Sequence, residues 1–283
     1  VLLSLRAAEV VKTLAWIRRQ ELLSGGIAAR PGEVAYPEVT GYLIPTLFDY
    51  GETAMAFRLA NWLLEIQNED GSFEDMQGTR RTFDTAACME GLRRAHGENW
   101  ITGIYHRAAE RAKGWILTQL QADGSLRTVP GGETHVYTMR ASWLVGNQAG
   151  AAYWKRADWW GKQAKMRTHY LGYALEGMWG MGETKFVEEQ LFYAQRAVRN
   201  DGFMPFVVGR QWEDGEGTDA CATAQMAILF GKVGMDTSRM VEAIGGMVDD
   251  DGGVRFGVEY TERNAWTARW VLEMWNTKGL EHE

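Results

Sequence analysis

Cysteine and proline are scarce in this 283-residue chain, with two and five copies respectively. Two cysteines are too few for a disulfide framework. Cys88 and Cys221 lie in the helix-like stretches TFDTAACMEGL and GTDACATAQMAIL, where buried free thiols are expected. Three of the prolines, Pro31, Pro37 and Pro130, fall between periodic segments, where they interrupt nothing. No run of 18 residues lacks a charge, so no membrane span is expected. Thirty Lys and Arg against 37 Asp and Glu leave a formal net charge of −7, which argues against nucleic acid as the main partner. A Walker loop, a GxGxxG turn, HExxH and GxSxG are also missing, removing the usual nucleotide, metalloprotease and esterase signatures. The chain starts at Val1, and VLLSLRAAEV lacks the basic-then-apolar layout of a signal peptide, which leaves a processed or truncated start open. Localisation is likewise open, with the cytoplasm favoured.

Helical periodicity fills the rest. Residues 5–23, 40–50, 52–67, 83–96, 104–121, 134–148 and 151–165 carry apolar positions three or four apart, as do 168–180, 184–199, 218–233, 237–248 and 260–276. About twelve helices are predicted. The 33 glycines cluster at segment ends, where left-handed caps and turns need them. Thirteen Trp, ten Tyr and ten Phe exceed what packing usually requires and suit a cleft that binds rings.

The segments alternate between two kinds. One kind carries Arg, Lys and Glu on one face, as in RLANWLLEIQ and YHRAAERAKGWILTQ, and runs into an acid-glycine turn: Asp70-Gly71, Asp123-Gly124, Asp201-Gly202 and Asp251-Gly252. Gln20 with Ser24-Gly25-Gly26 gives a weaker version. The other kind (GYLIPTLFDYG, TAACMEGL, HYLGYALEGMWGMG, CATAQMAILFG) is nearly uncharged and belongs in an interior. Outer–inner pairs repeated every 40–50 residues mean a repeat architecture. Six pairs closing into a ring, as one domain over residues 1–283, is the expected organisation.

The stretch Arg58-Leu-Ala-Asn-Trp62-Leu63-Leu-Glu-Ile-Gln67-Asn-Glu-Asp-Gly71-Ser-Phe73 resembles the glutamine-aromatic repeat of terpenoid cyclases. The alternation as a whole resembles the all-α (α/α)6 toroids: those cyclases, protein prenyltransferase β subunits and many carbohydrate-processing enzymes. Tyr36-Pro-Glu38-Val-Thr-Gly-Tyr42, Phe83-Asp84-Thr-Ala and Gly217-Thr-Asp219-Ala-Cys-Ala-Thr-Ala-Gln225 look most like prenyltransferase-like or squalene-cyclase-like proteins found with bacterial exopolysaccharide genes. The resemblance implies a fold, and the superfamily hosts unrelated reactions.

Each outer helix runs through its turn into an inner one, so all inner helices are expected to start at the same end. Backbone N–H groups converging there favour an anionic or hydroxyl-rich ligand. Tyr36, Glu38, Tyr42, Arg80, Arg81 and Asp84 stand near those starts, as do His135, Tyr137, Arg140, Arg167, His169, Tyr170 and Tyr173. Trp212, Glu213, Asp214, Asp219, Tyr260, Glu262, Arg263, Asn264 and Trp266 complete the set. Rings stack on aromatics, hydroxyls bond to carboxylates and Arg or His meets a uronate carboxylate, so the mixture suits an oligo- or polysaccharide ligand. Capping is the plainer role for Asp84 and Asp219, and for Thr82 and Thr218 beside them. His135 and His169 suit structural positions as well.

Glycosidic cleavage uses paired carboxylates. Asp84 and Asp219 are the first candidates, with Glu38 and Glu262 behind them. His135, Tyr137, Arg140, His169 and Tyr170 could instead support elimination beside a uronate. Tyr36, Tyr42, Arg80, Tyr137, Arg140, Tyr170, Tyr173, Trp212 and Trp266 are expected to bind substrate. Isoprenoid chemistry finds neither DDxxD nor DxDD here. Asp219-Ala-Cys221 matches the zinc pair of prenyltransferase β subunits, but Arg263-Asn-Ala-Trp266-Thr267 lacks the histidine of that set. No cofactor is therefore expected, with zinc at Asp219 and Cys221 the lesser alternative. The favoured reading is a glycoside hydrolase or uronate-directed lyase. A non-catalytic glycan-binding or exopolysaccharide-assembly protein comes next, and a terpenoid-cyclase-like or prenyltransferase-like enzyme third.

Overall fold

Twelve α-helices account for most of the described residues, which are 2–101, 103–161 and 163–277 of a computed structural model. They are α1 (Leu2–Arg19), α2 (Pro37–Asp49), α3 (Thr53–Ile66), α4 (Thr82–Glu98), α5 (Ile104–Thr118), α6 (Thr138–Val145), α7 (Gln148–Trp154), α8 (Thr168–Gly180), α9 (Thr184–Ala194), α10 (Ala220–Lys232), α11 (Ser238–Gly245) and α12 (Ala265–Thr277). Two three-residue strands, β1 (Lys165–Arg167) and β2 (Val207–Gly209), pair antiparallel with Met166 opposite Val208. No helix among the described residues is long and apolar enough to cross a membrane.

The helices fall into two compact units, Gln20–Trp159 and the described parts of Val1–Arg19 with Trp160–Glu283. In the first, α2, α4 and α6 pack side by side, with α3, α5 and α7 against them. In the second, α8, α10 and α12 form the inner row and α9, α11 and α1 flank it. Burial follows composition: eleven of the thirteen residues of α2 and of α10 are buried, against three of eleven in α9. An apolar surface on every side has to be covered on every side.

Small residues let the inner helices approach closely. Pro45 lies inside α2 and has no N–H for the Gly41 carbonyl one turn back. Gly91 of α4 lies against that same oxygen, and a Cβ there would come within 2.3 Å of it. A Cβ on Gly172 would likewise fall 2.2 Å from the Gln225 side chain, bringing α8 onto α10.

The acid-glycine turns are one device used repeatedly. Asp70, Asp123, Asp201 and Asp251 each accept the backbone N–H two residues on, from Ser72, Ser125, Phe203 and Gly253. The glycine between has φ near +90° and presses on the next outer helix, with a Cβ on Gly71 meeting the Arg111 oxygen at 2.4 Å and one on Gly252 meeting the Lys12 oxygen at 2.0 Å. Only glycine meets both demands.

Several predicted helices are shorter than their patterns: 134–148 shrinks to α6, 184–199 to α9 and 260–276 to α12. Periodicity over 151–165 continues through Trp154, Trp159 and Trp160, yet α7 stops at Trp154. The Trp159 indole donates to the Trp154 carbonyl at 2.7 Å and satisfies the helix end sideways, so the chain turns back at Trp159 instead of continuing the spiral. Lys162 of that segment lies outside the described residues.

Candidate active site

In the first unit, the chain entering each inner helix brings polar residues to its start. Tyr36 and Glu38 open α2, and Asp84 lies in the first turn of α4. The Tyr36 hydroxyl donates to Asp84 Oδ2 at 2.9 Å and also hydrogen-bonds to Glu38. The Tyr42 hydroxyl, one turn further along α2, donates to Glu38 Oε1 at 2.9 Å. Asp84 is only 2% exposed, while Tyr36 and Glu38 reach the surface slightly more. Two carboxyl groups thus share one phenol below the surface.

Burial pushes the Asp84 carboxyl well above the usual carboxylate range, and the neighbouring Glu38 charge pushes it further. The Tyr36 hydrogen bond and Arg81 oppose this without cancelling it. The Tyr36 phenol is raised by its own burial and by both carboxylates, so it remains a donor. Cys88, whose thiol donates to the Pro37 carbonyl at 3.2 Å, is held protonated by the same burial and charges.

Arg81 and Asp75 complete the setting. Burial alone would raise the Asp75 carboxyl, but the Thr79 and Gln77 N–H groups and the Arg81 guanidinium outweigh it and hold it below the usual range. Arg81 Nε donates to Asp75 Oδ2 at 2.5 Å and carries positive charge towards Asp84 and Tyr137. The Tyr137 ring meets Phe83 edge-on at 5.3 Å and lies 4.6 Å from His135. Burial lowers the His135 pKa to about 4, which keeps the imidazole neutral around pH 7. Arg140 is buried against Glu90 of α4 at 2.7 Å, an ion pair between inner helices. Arg80 is exposed and tied to Asp70 and Glu74 in the turn.

In the second unit, Asp219 caps α10 by accepting the Ala222 N–H at 2.8 Å on Oδ1. Its Oδ2 lies 3.4 Å from His169 Nδ1 at the start of α8. Arg167 stacks 4.5 Å over Phe206 and 5.8 Å over both Tyr170 and Phe256. Tyr173 packs on Trp270 and Trp266 is half-buried, whereas Glu262 is exposed. Trp212 is buried in a 3₁₀ turn over Arg210–Trp212. Thr82 and Thr218 do not cap: their hydroxyls bond to the Arg127 carbonyl and to Glu259. No three His, Cys, Asp or Glu side chains among the described residues are grouped to hold a metal ion, and Cys221 is a buried free thiol.

Asp75, Phe206 and Phe256 escaped the reading of the sequence, although a signal existed. Each stands four residues after a turn glycine, Gly71, Gly202 or Gly252, so register within the repeat marks the position. Glu259, which accepts from the Thr218 N–H at 3.1 Å, carries no such signal.

No protein-family model and no curated relative matches the chain. Solved structures do. An alpha-amylase from Clostridium perfringens aligns with a TM-score of 0.70 at 11% identity, over 95% of this chain and 97% of the other. A glycosidase in complex with glucose gives 0.70 at 13% identity over 96% of each chain. The type II terpene cyclase MstE from Scytonema, in complex with geranylgeranyl dihydroxybenzoate, gives 0.66 at 13% identity over 97% of each. The chain has the all-α (α/α)6 toroid fold, shared with glycosidases and a terpene cyclase.

Proposed function

We propose that the chain is a glycoside hydrolase acting on glucose-containing oligo- or polysaccharides, with Asp84 as proton donor and Glu38 as its carboxylate partner. The observation that carries this reading is the buried, proton-retaining Asp84 beside a second carboxylate, both joined to the Tyr36 hydroxyl. Two carboxyl groups in one place, one of them held protonated by burial, suit acid–base work on a glycosidic bond. Asp84 gives its proton to the leaving oxygen as the bond to the anomeric carbon breaks. Glu38 meets the positive charge that develops there, and ionised Asp84 then takes a proton from the attacking water. Similarity to an alpha-amylase and to a glycosidase holding glucose, at 11% and 13% identity, supports the choice of sugar.

Reducing-end release from soluble α- and β-glucans tests the reading, with wild type, Asp84→Asn and Glu38→Gln compared. Asp84→Asn should lower turnover by roughly 10²–10⁴-fold while leaving folding and glycan affinity in place. Undiminished turnover in that variant would remove Asp84 from the chemistry. Affinity without turnover in wild type would make the chain a glycan-binding protein, and turnover of a prenyl substrate alone would move it to the cyclases.

A further inference from the structure

The chemistry above leaves unassigned a cleft of about 800 Å³ in the second unit, where the C-terminal end of α9 faces the loop before α10. Tyr193, Arg196, Trp212, Glu213 and Asp214 line it, and its volume suits a small ligand.

The loop wall is held in an unfavourable shape. Gln211, Trp212 and Asp214 have φ of 57°, 67° and 50°, the only non-glycine residues with positive φ among those described. Side chains rarely adopt that region, a bulky indole least of all, and such conformations gather at ligand sites. The consequence is a particular display: Trp212 is 3% exposed with its indole N–H lacking an acceptor, while Glu213 and Asp214 stand exposed beside it. The Gly209 N–H, donating to the Glu213 carbonyl at 2.7 Å, fixes the turn.

The charges of this cleft are not satisfied by one another. Glu213 and Asp214 have no cationic partner among the described residues, and Arg196 has no carboxylate. The Arg196 guanidinium instead stacks on Phe192 at 5.3 Å and Tyr193 at 5.5 Å. Arg199 and Asp201, also on the wall, do pair, at 2.9 Å. An aromatic face that is 43% exposed at Tyr193, two acceptor carboxylates and one donor guanidinium thus look into one space. Mixed charge disfavours a simple anion or cation, and so polar a wall disfavours an apolar ligand. A ring with hydroxyls around its edge satisfies every group.

We propose that the cleft is a gluco-oligosaccharide-binding subsite, an inference that rests on the glycan reading above. A sugar ring stacks on Tyr193, its hydroxyls donate to Glu213 and Asp214, and Arg196 donates to sugar oxygens.

Calorimetric titration of the full chain with maltohexaose and with cellohexaose tests this, in an Asp84→Asn background that slows turnover. One of the two should bind. Adding Tyr193→Ala, or Glu213→Gln with Asp214→Asn, should weaken that affinity at least tenfold without moving the unfolding midpoint. Unchanged affinity in both variants, or no binding of either sugar, overturns the subsite. Wild-type turnover with unaltered affinity in the cleft variants would remove the subsite and keep the hydrolase. Cleft-dependent affinity without wild-type turnover would do the reverse.

Discussion

The Tyr36 hydroxyl donates to Oδ2 of Asp84 at 2.9 Å across 48 residues of chain. The bond joins the starts of α2 and α4 and works against the burial that keeps Asp84 protonated. Replacing Tyr36 with Phe removes a donor that favours the charged carboxylate. The Asp84 pKa should then rise further, and the alkaline limb of the pH–rate profile should move to higher pH. A profile recorded across the alkaline range checks the direction of the shift.

The same carboxyl makes stability depend on pH. Its folded pKa is raised, so above the ordinary carboxylate value the native state holds a proton that the unfolded chain has lost. Stability should therefore fall as pH rises through that window, by about 1.4 kcal/mol per pH unit until Asp84 itself ionises. Asp84→Asn cannot titrate. Urea unfolding at several pH values should show the variant gaining on wild type as pH increases.

His135 acts at the other end of the scale. Its pKa, lowered to about 4 by burial, lies below that of the unfolded imidazole. Between the two values the unfolded chain binds the extra proton, so stability falls as pH falls through this range. His135→Gln should flatten that acid limb in thermal melts between pH 4 and 6.5.

Asp219 offers a separation of roles. Its Oδ1 caps α10 through the Ala222 N–H. Asp219→Ala should cost roughly 1 kcal/mol in urea unfolding, and Asp219→Asn much less, because Asn caps as well as Asp.

Gly91 sets the distance between α2 and α4. A methyl there would come within 2.3 Å of the Gly41 carbonyl oxygen, and neither backbone can yield without moving its helix. Gly91→Ala should destabilise by roughly 1–3 kcal/mol, read as a lower urea midpoint with an unchanged slope.

Much of this arrangement is written in the sequence. Helix positions follow from periodicity because apolar residues spaced three or four apart have one cooperative way to be buried, and the acid-glycine turns mark where outer helices end. The tryptophans at 154, 159 and 160 misled because spacing cannot reveal an indole turned back onto its own helix end. At the site, Glu38 and Asp84 were legible as carboxylates at inner-helix starts. Their sharing of Tyr36 was not, since a bond over 48 residues leaves no local trace. In the sequence Asp219 and Asp84 look alike, but neighbours distinguish them: one carboxylate meets a backbone N–H as a cap, the other a phenol and a second carboxylate. Arg80 and Glu262 have the right chemistry in the sequence and lie exposed, because a turn position does not say which way a long side chain turns.

Direct titration of the Asp84 carboxyl, by ¹³C NMR of the labelled chain in wild type and Glu38→Gln, tests the proposed acid pair most closely. Asp84 should titrate well above the ordinary carboxylate range in wild type, and its midpoint should fall when the Glu38 charge is removed. An ordinary wild-type midpoint, or one that Glu38→Gln leaves in place, would contradict the pairing on which the hydrolase reading stands.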